Sequence, residues 1–172
     1  KDMKVIGNSL PRYNYNFGIS ADWYGIDFSV LFQGIGKQNW YPGAETSMFW
    51  GPYSRPYASF IPSDFMSQVW SEENTDAYFP RPRGYVALGS NRELAVVNTK
   101  YLQNLAYCRL KNLSIGYTLP DKWLSKIGFE KIRVYFSGEN LLTFTKLHSD
   151  YIDPEQASAS NSWKTSKSDA NI

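Results

Sequence analysis

The stretch Tyr101–Asn140, YLQNLAYCRLKNLSIGYTLPDKWLSKIGFEKIRVYFSGEN, contains the most regular pattern in this chain. Hydrophobic residues alternate with small and polar ones from Asn112 to Leu119, and the alternation returns after a compact turn from Ile132 to Glu139. A period of two is typical of pleated strands, whose successive side chains point to opposite faces. The stretch therefore predicts a hairpin with one aliphatic and aromatic face and one small, polar face.

The N-terminal part of the chain repeats this pattern. Large hydrophobic residues alternate with polar ones from Tyr13 to Ser20 and from Tyr24 to Gln33, with a short turn predicted around Ala21–Trp23. Each run is about ten residues long, which is the length that a tilted strand needs to cross a bilayer. Trp23, Tyr24 and Tyr117 gather near the short turns, as in an aromatic girdle. The predicted strands span residues 13–21, 23–34, 107–119 and 131–144, each approximately.

The remaining segments lack periodicity. Residues 35–104 contain prolines from Pro42 to Pro82 and scattered aromatic residues, so we expect a large ordered loop. A short helix is predicted within it over Ser63–Trp70, with Ser63 as the N-cap. The second predicted loop covers residues 145–172. The connections thus run short, long, short, long, which is the order of periplasmic turns and extracellular loops in outer-membrane barrels.

Composition limits the classes of function. The chain has 172 residues and a formal net charge of +2, too balanced to indicate nucleic acid binding. Cys108 is the single cysteine and His148 the single histidine, so the sequence predicts no disulfide, no metal site and no cofactor. A run of the ~18 apolar residues that a membrane helix needs is absent from the sequence, but transmembrane strands do not require one.

Four segments resemble the C-terminal part of the SusC/RagA-like TonB-dependent transporters of Bacteroidetes outer membranes. The RLKN-x-x-x-GYTLP pattern followed by RVY-x-x-x-x-NL is the specific part of this resemblance. The segments VIGNSLPRYNYNFG and IDFSVLFQGIGKQNWYP resemble the preceding barrel strands. The four matching segments are WSEENTDAYFPR (Trp70–Arg81), YCRLKNLSIGYTLP (Tyr107–Pro120), IRVYFSGENL (Ile132–Leu141) and YIDPE (Tyr151–Glu155).

The resemblance implies an all-β fold, in which antiparallel strands form part of a transmembrane barrel of about 22 strands with long extracellular loops. It implies a role in a TonB-dependent importer that takes up glycans or peptides across the cell outer membrane with a SusD-like surface lipoprotein. We expect the N-terminal plug, which TonB displaces, and the final strand to belong to polypeptide outside this sequence. The other expected partners are the remaining barrel strands, the lipid bilayer and the oligosaccharide or peptide substrate; no nucleic acid is expected.

Candidate site residues fall into two groups. If the aromatic face meets lipid, the polar face lines the lumen, where its residues either contact plug and substrate or only solvate the wall. Aromatic residues of the long loop either stack on a ligand or hold the loop together and pack on a partner. The predicted lumen-facing residues are Asn14, Asn16, Ser20, Asp27, Ser29, Gln33, Arg133, Tyr135, Ser137 and Glu139. The predicted ligand or partner contacts are Trp40, Tyr41, Trp50, Tyr53 and Tyr57.

Two features leave alternatives open. Strict alternation would point Arg109 and Lys111 outward with Leu113, either because the wall rises above the hydrocarbon there or because a β-bulge switches the faces. The acidic residues of the loops do not indicate catalysis or an EF-hand; solvated carboxylates or N-caps explain them, and the chain is predicted not to be an enzyme. These residues are Asp64, Glu72, Glu73, Asp76, Asp150, Asp153 and Glu155.

The main alternative function is a soluble all-β carbohydrate-binding module. Such a module would bury the apolar strand faces between two sheets and use the same loop aromatics for sugar. The two interpretations therefore differ in what covers Phe17, Phe28, Ile115 and Phe136.

Overall fold

The structure is a computed structural model that describes residues 4–44, 46–54, 61–83, 87–89, 92–125 and 128–163, with side chains described up to residue 158. The chain divides into two compact units. The sheet unit comprises Pro11–Lys37 and Ala106–Lys146, and the loop unit comprises Lys1–Leu10, Gln38–Leu105 and Leu147–Ile172.

The secondary structure is mostly β. The described helices are short, apart from the last one, and two additional single 3₁₀ turns cover Gly51–Tyr53 and Phe65–Gln68. The strands are β1 (Arg12–Trp23), β2 (Ile26–Lys37), β3 (Asn39–Trp40), β4 (Gln103–Asn104), β5 (Tyr107–Thr118) and β6 (Arg133–Thr145). The helices are α1 (Ser47–Trp50), α2 (Asp121–Leu124) and α3 (Pro154–Trp163).

The sheet unit is one antiparallel sheet of four strands in the order β1-β2-β5-β6. The turn between β1 and β2 lies at Tyr24 and Gly25, which have φ angles of 47° and 85°. Two consecutive positive φ angles are typical of the two-residue turns that match strand twist. The turn predicted at Ala21–Trp23 is therefore wrong, because alternation and pairing continue through Asp22 and Trp23.

A β-bulge at Lys111 decides one of the open alternatives. Leu31 pairs with Asn112, but the next residue of β2, Phe32, pairs with Leu110. Lys111 is thus the extra residue, and β5 changes parity there. Arg109 pairs with Gln33 and lies on the polar face, so the outward position that strict alternation gave it is wrong.

The apolar face of the sheet is exposed. Phe17, Ile115 and Phe136 are 49%, 43% and 59% exposed, and Phe28 is partly exposed. No second sheet covers these side chains within the sheet unit, where the four strands form a single layer. The predicted fold class, all-β with antiparallel strands, is confirmed, and the enclosed core that the carbohydrate-binding module requires is not observed in this unit.

The loop unit has an aromatic core. The rings of Phe49 and Trp50 in α1 lie 4.8 Å apart, centre to centre. Phe49 and Trp50 both contact Phe79, at 5.6 and 6.3 Å, and Trp50 also contacts Tyr101 at 5.3 Å. Aromatic pairs at these distances add to the free energy gained from burial. A second, smaller cluster comprises Trp40, Leu105, Leu147 and Ala157. The described residues of the loop unit therefore enclose a hydrophobic interior.

The helix predicted over Ser63–Trp70 is wrong in length and in its cap. The structure has a 3₁₀ turn over Phe65–Gln68 without a capping side-chain hydrogen bond. The helix cannot continue because the backbone around Val69 pairs with Phe79: the Phe79 amide donates to the Gln68 carbonyl at 2.9 Å.

Candidate functional site

The polar face of the sheet brings the predicted lumen residues into rows that cross the strands. Directly paired residues of neighbouring strands share a face. One row consists of Ser20, Ser29, Ser114 and Ser137, which gives one hydroxyl to each of the four strands. The next row consists of Leu31, Asn112 and Glu139. The row after it consists of Asn16, Gln33, Arg109 and Thr143. Asn14 lies opposite Ile35.

Asp27 and Arg133 form an ion pair on this face. The Arg133 Nε donates to Asp27 Oδ1 at 2.9 Å, and its Nη2 donates to Asp27 Oδ2. The guanidinium carbon also lies 5.0 Å from the centre of the Tyr135 ring. A bidentate contact of this kind fixes both side chains in one orientation. Three of the predicted lumen residues thus form one group near the short-turn end of the strands.

Arg109 is a functional candidate that periodicity alone could not place. Its Nε donates to Thr143 Oγ1 at 2.9 Å, and its guanidinium lies 5.7 Å from the Tyr107 ring centre. The residue is buried. The polar face therefore carries Arg133 near the short turns, and it carries Arg109 near the long connections.

Tyr15 makes a hydrogen bond across β2 on the apolar face. Its ring passes over Gly34, with which it is paired, and its hydroxyl donates to the Tyr107 carbonyl of β5 at 2.9 Å. A Cβ atom at position 34 would collide with the Tyr15 ring and with the Tyr107 carbonyl. Gly34 is therefore needed for close approach, which the sequence does not indicate.

The loop aromatics predicted as ligand contacts lie largely inside the loop unit. Trp50 and Tyr53 are 0% exposed, and Trp40 is 7% exposed. The Trp50 indole donates to the Pro42 carbonyl at 3.0 Å, and the Tyr53 hydroxyl donates to the Pro80 carbonyl. Buried rings with bonded polar atoms favour the alternative that these residues hold the loop together.

Tyr41 and Tyr57 complete that group. Tyr41 is half-buried; its hydroxyl donates to the Leu94 carbonyl at 2.7 Å and accepts from Asn98 Nδ2 at 3.0 Å. Burial raises the pKa of Tyr41 to about 12, so the phenol stays protonated and remains a donor. Tyr57 lies outside the described residues.

His148 borders a small cleft of the loop unit. Its Nε2 lies 2.7 Å from Gln68 Oε1. Its ring stacks on the ring of Tyr78, with the two ring centres 3.8 Å apart. Burial lowers the pKa of His148, against a smaller opposing effect of the nearby Asp150 carboxylate. The neutral ring, with its Nε2 proton directed at Gln68, is therefore the form that this site stabilises.

One of the acidic loop residues caps a helix. Asp153 precedes α3, and its Oδ1 accepts from the Glu155 amide at 2.8 Å, while Pro154 is the first residue of the helix. This is the N-cap that the sequence allowed as an alternative to a calcium loop. Within the described ranges, the structure brings together no group of three or more His, Cys, Asp or Glu side chains that could hold a metal ion. Nor is any described helix long and apolar enough to cross a membrane.

The sheet is a single antiparallel layer with one exposed apolar face and one polar face, and long connections lie at one end of its strands. This arrangement is typical of a piece of a transmembrane β-barrel. No family model matches the chain. It is 34% identical over 156 residues to TonB-dependent receptor P3 of Formosa agariphila, and 28% identical over 156 residues to TonB-dependent receptor P26 of the same organism. Each match covers 90% of this chain and 14% of the relative, so the chain spans about one seventh of their length.

Solved structures of an importer also match this chain. The RagAB peptide importer in its "open-open" state matches with a TM-score of 0.56 and 25% identity over 86% of this chain, which is 15% of the matched chain. Its "closed-closed" state matches with a TM-score of 0.55 over the same shares. The chain thus belongs to the SusC/RagA-like TonB-dependent receptor family, as its sequence motifs predicted. Its sheet is similar to part of the barrel of the matched importer.

Proposed function

We propose that this chain supplies wall strands and one large extracellular loop of a TonB-dependent outer-membrane importer. The observation that supports this proposal most strongly is the exposed apolar face of the sheet, which extends from Phe17 to Phe136. Exposed apolar surface of this extent is costly in water and favourable in hydrocarbon. The polar face with its row of serines then faces a water-filled interior, completed by the remaining barrel strands and the plug.

The positions of the long connections support the orientation. The chain leaves the sheet after Lys37, returns at Tyr107 and leaves again after Thr145, and pairing puts all three at one end of the strands. Long connections of outer-membrane barrels lie outside the cell. The loop unit is accordingly extracellular, and the turns at Tyr24–Gly25 and after Thr118 are periplasmic.

The assignment includes the partners and the cargo. A SusD-like lipoprotein covers the extracellular side and helps to capture a glycan or peptide, and TonB displaces the plug to admit it. The similarity to an importer whose name includes peptide transport supports peptide as cargo. The chain contributes no catalytic residue; its role is to form the wall and to present loop surfaces.

The test uses the full-length protein in its own cells. Fractionation locates the protein, and uptake of labelled oligopeptides and oligosaccharides is compared between wild-type cells and cells in which the gene is deleted and then restored. We expect the protein in the outer membrane, with uptake of one cargo class lost on deletion. Recovery in the aqueous fraction would favour a soluble binding module instead, and unchanged uptake of both cargo classes would contradict the import role.

A further inference from the structure

The loop unit contains a cleft with apolar walls and a polar rim. Its free volume is about 40 Å³, which is room for about three water-sized groups and therefore for the end of a side chain. Met48 and Tyr151, which line it, are each 46% exposed, so the cleft opens to solvent. The lining residues are Met48, Phe49, Pro62, Asp64, Phe65, Gln68, Phe79, His148, Ser149, Asp150 and Tyr151.

The lining has a distinct electrostatic character. It holds two carboxylates, Asp64 and Asp150, and among the lining residues that the structure describes none is a lysine or an arginine. His148 adds no charge at neutral pH because burial lowers its pKa. The cleft therefore disfavours an anion and leaves two negative charges beside aromatic rings, whose faces also attract cations.

A chain of hydrogen bonds holds the polar rim in place. Gln68 Nε2 donates to Asp64 Oδ2 at 3.4 Å, and Gln68 Oε1 lies 2.7 Å from His148 Nε2. The Ser149 hydroxyl donates to the Met48 carbonyl at 3.3 Å. The carboxylate, the imidazole and the apolar wall are thus arranged before any ligand arrives, which lowers the entropic cost of binding.

We propose that this cleft binds the ammonium or guanidinium group of a lysine or arginine side chain in a peptide cargo. The aliphatic stem packs against Met48 and Tyr151, and the cation lies between the two carboxylates. Methylene stems with a terminal cation match surfaces that are apolar along their walls and polar at their ends. Methionine adapts to different stems because it is unbranched and polarizable. The inference rests on the proposed import function, since it specifies which cargo side chains that function captures.

Titration of the full-length protein in detergent micelles tests the site. The probes are Nα-acetyl-lysine amide, Nα-acetyl-norleucine amide, which has the same stem without the charge, and Nα-acetyl-glutamate amide. The variants are Asp64→Asn and Asp150→Asn, and the matched control is Glu72→Gln, an exposed carboxylate of the same unit outside the cleft lining. Isothermal calorimetry measures each affinity at low and moderate salt.

We expect the lysine derivative to bind, and each Asn substitution to weaken its binding by about fivefold, the order expected for one lost charge at a partly exposed site. Glu72→Gln leaves the affinity unchanged, and the norleucine and glutamate derivatives bind more weakly than the lysine derivative. Failure of the lysine derivative to bind, equal affinity for norleucine, or unchanged affinity in both Asn variants would overturn the assignment.

The location and uptake measurements separate this inference from the import function. If the protein lies in the outer membrane and imports peptides while the lysine derivative does not bind, the cleft assignment alone fails. If the lysine derivative binds with the expected variant pattern but peptides are not imported, the cation site stands and its link to peptide cargo is overturned.

Discussion

Asp27 of β2 and Arg133 of β6 are joined by an ion pair that crosses the intervening strand β5 directly over Gly116. Gly116 pairs with Asp27 on one side and with Tyr135 on the other. A Cβ atom there would lie 2.5 Å from Asp27 Oδ1 and 2.7 Å from Arg133 Nη2. The contact thus links strands that are not neighbours, and the absence of a side chain at position 116 permits it.

Gly116→Ala should break this ion pair at a modest cost in stability, because the atoms in the way are the ends of side chains that can turn aside. Its effect should also depend on the partner: in an Arg133→Gln background, where the pair is already lost, Gly116→Ala should cost almost nothing more. Urea unfolding of the full-length protein in lipid vesicles measures the free energies of unfolding of the wild type, the two single variants and the double variant, which together form a double-mutant cycle. Ser114→Ala, two residues away on the same face, is the control, and equal Gly116→Ala effects in both backgrounds would contradict the coupling.

Gly34→Ala should be more damaging than Gly116→Ala. The added Cβ meets the Tyr107 carbonyl, which is backbone and cannot turn aside, together with the Tyr15 ring. Overpacking of this kind typically costs about 1–3 kcal/mol. The same unfolding assay compares the two variants side by side. An effect of Gly34→Ala no larger than that of Gly116→Ala would show that β5 can move away from β2 at this point.

The alternation of the sequence was sufficient to predict the four long strands, because a strand with one apolar face has an apolar side chain at every second residue. It could not place Arg109, since alternation fits both an outward arginine and a bulge, and only pairing with Gln33 distinguishes them. The loop aromatics were harder still. Ring faces suited to a ligand are equally suited to a core, and the burial of Trp50 depends on Phe79 and Tyr101, which are distant in sequence and have no periodic relation to it.

Trp50→Ala should unfold the loop unit rather than remove a ligand contact. Truncating a fully buried tryptophan typically costs about 3–5 kcal/mol, and the Pro42 carbonyl would lose its donor as well. Limited proteolysis of whole cells should show cleavage within residues 38–105 in the variant and protection in the wild type. The control is Tyr24→Ala, which removes an exposed ring of the sheet unit. Loss of uptake with full protease resistance would instead support a direct ligand role for Trp50.

The stability of the loop unit should fall as the pH drops below about 6.5. Burial lowers the folded-state pKa of His148, so between the folded and unfolded pKa values the unfolded chain binds more protons. Stability therefore rises with pH through this window and is greatest above about 6.5, the ordinary histidine pKa. Asp150 opposes the shift. Gln68 contacts the ring at Nε2, and the ring centres of Tyr78, Phe79 and Phe49 lie 3.8, 5.9 and 6.4 Å from that of His148.

Hydrogen exchange of the full-length protein, corrected for intrinsic rates, compares the wild type with His148→Gln at pH 7.5 and 5.5. The wild type should lose protection around Gln68 and Phe79 at the lower pH, while the variant should change little. Equal loss of protection in both proteins would assign the pH dependence to another group.

Arginine substitutions at two adjacent residues of β6 should distinguish the two faces of the sheet. Phe136 pairs with Ile115 on the apolar face, and Ser137 pairs with Ser114 on the polar face. An arginine on the lipid face of a barrel costs about 2–4 kcal/mol near the bilayer midplane and about 0–1 near the interfaces. Phe136→Arg should therefore reduce the free energy of unfolding in vesicles and the amount of protein in the outer membrane, whereas Ser137→Arg should be tolerated because water solvates its charge. Phe136→Leu, which keeps an apolar side chain, should also be tolerated, since fluid lipid fills the space that a rigid protein core would leave empty. Equal costs for Phe136→Arg and Ser137→Arg would mean that the two faces have the same surroundings, and the assignment of this sheet as a barrel wall would then be wrong.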